Sequence, residues 1–82
     1  MTRKEINEIF CTELGQQLNE VYTTSDDRVF IRMKEATLHI EGKLDDNTLP
    51  LPDTTIKMWY ALDEGYYIYK DGTWKGYENK KD

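Results

Sequence analysis

Eighty-two residues weighing 9.7 kDa form one small domain, since a chain of this length hides only about 60% of the surface its unfolded form exposes, and two domains are excluded. Apolar residues at 38%, charged residues at 33% and ten aromatics are too aromatic for a disordered tail and too polar for a membrane span. Eleven Lys and Arg against sixteen Asp and Glu leave a net charge of −5, which opposes phosphate-backbone binding, so neither nucleic acid nor membrane is an expected partner.

Apolar residues Ile6, Ile9, Phe10, Leu14, Leu18 and Val21 recur at steps of three and four and predict an amphipathic helix over Glu5–Glu20. Thr2-Arg3-Lys4-Glu5 fits a capping box at its start. Gly15, beside Leu14 and Leu18, suggests close packing of another segment. Cys11, the only cysteine, cannot form an internal disulfide; it reads as a small, partly buried side chain in a reducing compartment. The N-terminus has no apolar run that would make a signal peptide, and a cytoplasmic protein is expected.

Val21-Tyr22-Thr23-Thr24, then the turn residues Ser25-Asp26-Asp27-Arg28, then Val29-Phe30-Ile31 predict a short antiparallel hairpin. In residues 32–44, Ala36, Leu38 and Ile40 alternate as in a strand, while Met33, Ala36, Ile40 and Leu44 keep helical spacing, so periodicity leaves both open. The stretch Val21 to Phe30, followed by Glu35-Ala36 and His39, resembles a segment of small proteins from Bacteroidetes and their phages: a strand, Thr-Ser-Asp-Gly, a second strand ending in Phe, and a helix carrying Ala and then His. About a quarter of the chain takes part, Asp27 stands where Gly is usual, and the resemblance implies no activity. It does imply a helix in residues 32–44, as do the helix formers Lys34, Glu35, Ala36 and Leu38 ahead of Gly42.

Asp45-Asp46-Asn47-Thr48 with Pro50 and Pro52 predicts an irregular connection within the domain. Thr55–Leu62, Tyr66–Tyr69 and Thr73–Tyr77 predict a β-meander, with Asp63-Glu64-Gly65 at one turn and Asp71-Gly72, a strong hairpin signal, at the other. The fold class expected is therefore α+β: an N-terminal helix and a second helix covering one face of an antiparallel sheet. Residues 1–78 make the domain and 79–82 a frayed, charged end.

Chemistry-bearing residues are few. His39 is the sole histidine, so no His–His metal pair can form; on a helix Glu35 would lie one turn before it and could orient it as a base. Asp26/Asp27, Asp45/Asp46 and Asp63/Glu64 all fall in predicted turns, where acids are solvated. The five glycines never take phosphate-loop spacing, and no cofactor or metal is expected. The excess is aromatic, with seven of ten rings between Trp59 and Tyr77. Alternation puts Tyr67 and Tyr69, with Trp59 or Trp74, against the helices and turns Tyr66, Tyr60 or Tyr77 outward. Tyr60, Tyr66, Trp74 and Tyr77 are the candidate contact residues for another protein, possessing the large, rigid area that interfaces favour, and the surrounding acids point to a basic one. The expected function is non-catalytic protein binding by a phage- or mobile-element-encoded accessory protein. The alternatives are a small enzyme or subunit using His39, and self-association through the sheet.

Overall fold

The side-chain oxygen of Thr2 accepts the Glu5 amide at 3.3 Å and the Glu5 carboxylate accepts the Thr2 amide at 3.2 Å, so the capping box opens helix α1 (Arg3–Phe10) as the sequence predicts. The computed structural model describes residues 2–13, 17–44, 49–61 and 65–79. Helix α1 is eight residues long and stops well short of Glu20. Thr12 supplies the reason: its amide and its hydroxyl both bond the Ile9 carbonyl, at 3.2 and 2.7 Å, taking the acceptor that the next helical turn would need. Cys11, at the C-cap, is exposed and not partly buried, because the apolar stripe ends one residue earlier. Gly15 and the packing expected there lie outside the described residues.

Strands β1 (Glu20–Thr24), β2 (Val29–Phe30), β3 (Ile56–Tyr60), β4 (Gly65–Lys70) and β5 (Thr73–Asn79) form one antiparallel sheet in the order β2-β1-β3-β4-β5, with helix α2 (Met33–Ile40) between β2 and β3. The result is the expected α+β class, with the predicted meander as β3-β4-β5. Asn79 belongs to β5; residues 80–82, and the Asp45/Asp46 and Asp63/Glu64 pairs, lie outside the described residues.

Turn chemistry follows backbone sign. The Thr24 amide bonds the Arg28 carbonyl at 3.1 Å and the Asp27 amide bonds the Thr24 carbonyl at 3.0 Å, closing a three-residue hairpin loop whose last residue, Asp27, has φ 62°. The aspartate thus adopts the left-handed conformation that favours glycine. Asp71 and Gly72, at φ 52° and 83°, make the β4–β5 turn with both central residues at positive φ. Helix α2 ends on Gly42 (φ 72°): the Lys43 amide bonds the Leu38 carbonyl at 2.8 Å and the Gly42 amide bonds the His39 carbonyl at 3.0 Å, a Schellman motif.

The two helices lie on opposite faces of the sheet, not on one. Register aligns Val21, Trp59 and Tyr66 across β1, β3 and β4, and these pack with Ile6, Ile9, Phe10 and Leu18 under α1. The alternate residues Tyr22, Phe30 and Ile56 pack with Met33, Ala36 and Ile40 under α2. One strand pattern serves two cores because successive side chains point to opposite faces of the sheet, and each face carries its own eight-residue helix. Among the described residues no helix is long and apolar enough to cross a membrane.

Candidate functional site

The α2 face of the sheet is open beyond the reach of α2, and its open part is aromatic. Tyr60 is 36% exposed, Tyr67 36%, Tyr77 41% and Trp74 50%. Tyr67 sits opposite Tyr77 with ring centroids 4.8 Å apart, Tyr60 meets Tyr67 edge-on at 5.7 Å, and Tyr69, half-buried, meets Trp74 at 5.1 Å. Such pairs contribute about 0.5–1.5 kcal/mol each beyond their area burial, so the rings help hold one another in place.

A bulge makes this face continuous. Tyr67 and Tyr69 are two residues apart on β4 and share a side by ordinary alternation. Their partners Tyr77 and Trp74 are three apart on β5 and would fall on opposite sides. Between Trp74 opposite Tyr69 and Gly76 opposite Ile68 the register shifts by one residue, Lys75, which returns Tyr77 to the side of Trp74. Gly76 absorbs the distortion at φ 139°, a backbone conformation that L side chains rarely adopt.

Tyr60 and Tyr77 are thus outward as expected, and of the two tryptophans that alternation left open it is Trp59 that is buried and Trp74 that is outward, but Tyr66 is not outward. It is 4% exposed, packed at 4.6 Å against Trp59 on the α1 face, its hydroxyl donating to Glu78 at 2.5 Å. The exposed neighbour is Tyr67, the reverse of the predicted side. The cross-strand pairing with Trp59 decides this: the Trp59 indole N–H donates to the buried Thr23 hydroxyl at 2.9 Å, which pins Trp59 and whatever lies opposite it to the α1 core. Burial, then the bond to Glu78, push the Tyr66 phenol up to about 12. Arg3, unremarked in the sequence, is buried and donates to the Tyr60 and Ala61 carbonyls at 2.8 and 3.2 Å, anchoring the end of β3 that carries Tyr60. A basic residue on the first turn of an amphipathic helix gives no signal of such burial.

His39 is also placed differently from the sequence expectation. Its partner is Asp26 in the β1–β2 loop, with Nε2 to Oδ2 at 2.7 Å, and not Glu35, which is exposed. Thr24 donates its hydroxyl to the other oxygen of the same carboxylate. Burial pushes the Asp26 carboxyl up, but the bonds from Thr24 and His39 outweigh it and hold the group below the usual carboxylate range. The His39 side chain is 5% exposed and packs near Phe30 at 5.2 Å, while Nδ1 is buried and has no hydrogen-bond partner among the described residues. One ring nitrogen is committed to Asp26 and the other is buried, so this arrangement ties α2 to the hairpin loop. Among the described residues no group of His, Cys, Asp and Glu is arranged to hold a metal ion.

Compared with known proteins, the chain matches no family model, no curated protein and no solved structure.

Proposed function

We propose that this chain is a non-catalytic protein-binding module that engages its partner through the exposed rings of Tyr60, Tyr67, Trp74 and Tyr77. The observation that carries the reading is their contiguity on one sheet face, with centroids 4.8 to 5.7 Å apart along the Tyr60–Tyr67–Tyr77 row and, among the described residues, no helix over them. Tyr and Trp supply large contact area with few rotors to immobilise, which is why they dominate binding hot spots, and contiguous exposed rings mark a contact surface more than a core. The resemblance of residues 21–39 to small Bacteroidetes and phage proteins supports an accessory role on a mobile element, as a virion component or an inhibitor of a host protein.

Affinity capture with the wild-type chain and with a Tyr67→Ser/Trp74→Ser variant, from lysate of the cell that encodes it, tests the reading. These rings stand on the surface, so the variant keeps both cores, as circular dichroism verifies. A protein retained by the wild type and lost by the variant is the expected result. Equal capture by both refutes binding through this face.

A further inference from the structure

The rings of the α2 face are bounded by carboxylates at both ends. Glu20 pairs with Tyr60 across β1 and β3 and therefore stands on the same face beside the Tyr row. At the hairpin end, Tyr69 shares a recess of about 260 Å³ with Asp71 and with Glu41, whose carboxylate already pairs with Lys43 at 3.5 Å, so Asp71 is the acid that closes this end. The register places Glu20 level with Gly65, and Asp71 follows β4 six residues later, so the two acidic ends stand about 20 Å apart at strand rise. The lysines of β3 and β4, Lys57 and Lys70, fall on the opposite pleat from Tyr67 and Tyr69, and Lys57 lies over Tyr66 on that side at 4.7 Å.

Elsewhere in the molecule a cation stands over a ring more than once: Lys57 over Tyr66, and Arg28 over Phe30 at 6.0 Å. Tyr60, Tyr67 and Trp74 have exposed rings and, among the described residues, no cation over them. A guanidinium or ammonium laid on such a ring gains the attraction of the ring quadrupole, and flanking carboxylates add to it and steer approach. The whole chain, at −5, favours the same sign of partner.

Resting on the reading that the aromatic face is the binding surface, we infer that its occupant is an extended, arginine-bearing segment of a basic protein. The segment runs along the strands from Glu20 to Asp71, with guanidinium groups stacked on Tyr67 and Trp74. Arginine fits better than lysine because its planar group stacks flat on a ring while its N–H fork reaches a carboxylate.

The test is titration calorimetry with three capped eight-residue peptides: one alternating arginine with threonine, one with lysine in place of arginine, and one with citrulline, the neutral isostere. Binding strongest for arginine is expected, about tenfold weaker for citrulline, with the arginine peptide losing affinity as salt is raised. Glu20→Gln and Asp71→Asn should each weaken the arginine peptide without affecting citrulline, while Glu35→Gln, on the exposed side of α2, leaves both unchanged. Trp74→Ala, at the most exposed ring, should abolish the preference. Equal binding of arginine and citrulline peptides, or no binding of any, overturns the cationic occupant. Sedimentation showing a dimer that Trp74→Ala dissociates also overturns it, by giving the face to a second copy. A partner captured through the aromatic face but gripping it with a neutral or acidic segment would leave the protein-binding reading intact and sink only this one.

Discussion

Gly76→Ala probes the device that assembles the aromatic face. At φ 139° the position lies where L side chains rarely go, and a backbone held in such a region costs about 1–3 kcal/mol. A Cβ there would meet no atom within 4 Å, so the penalty is one of backbone conformation alone, with no clash to add. Alanine also narrows the unfolded ensemble and returns about 0.4–1 kcal/mol, which leaves a net destabilisation of about 1–2 kcal/mol. For a domain of this size each kcal/mol lowers Tm by about 4–8 °C, so thermal unfolding should shift down by about 5–15 °C. An edge strand has a second way out: β5 can lose the bulge, slip by one residue beyond Lys75 and carry Tyr77 to the α1 side. Nuclear Overhauser contacts between the Tyr67 and Tyr77 rings separate the two responses, being kept under simple strain and lost under slippage. An unchanged Tm with the ring contacts intact would refute the claim that glycine is what permits the bulge.

Three further outcomes follow from the same geometry. Gly42→Ala combines a left-handed φ of 72° with a Cβ only 2.6 Å from the Pro50 nitrogen and 2.8 Å from the Leu49 carbonyl carbon, so a loss of about 2–4 kcal/mol is expected in urea unfolding; Gly42→Asn, which tolerates the φ but not the contact, should recover little of it. The Tyr22 and Tyr66 phenols are raised from 10.0 to about 12, first by burial and then by their bonds to Glu20 and Glu78. The folded state therefore prefers the neutral phenol, and this stability is complete below pH 10 and lost as pH rises toward about 12; tyrosinate absorbance should show Tyr22 and Tyr66 ionising late, and Tyr22→Phe should remove one of these late transitions. Asp26 has the opposite sign: its folded value lies below the ordinary one near 3.9, so its contribution is present above about pH 4 and lost as pH falls through the lowered value. Asp26→Asn should flatten that acid limb in denaturant midpoints collected against pH, and an unaltered limb would dismiss the Thr24–Asp26–His39 cluster as its source.

What could be seen in the residues themselves was local. The Thr2–Glu5 box, the Asp71-Gly72 hairpin, the helix before Gly42 and the meander each depend on neighbours within a few positions, where capping, backbone sign and side-chain period act directly. Even the positive φ at Asp27 is local, since aspartate is among the residues that tolerate the left-handed region. Three decisions needed the folded sheet. Pairing of β1 with β3, across α2 and the proline connection, sent Val21 and Tyr22 into different cores and so put the helices on opposite faces. The Trp59–Thr23 bond and the register of β3 on β4 turned Tyr66 in and Tyr67 out. His39 found its partner in a loop thirteen residues away. Strand side chains alternate with period two, so which half is buried hangs on register and on a single bulged residue, and both are set by contacts between distant segments that no local pattern encodes.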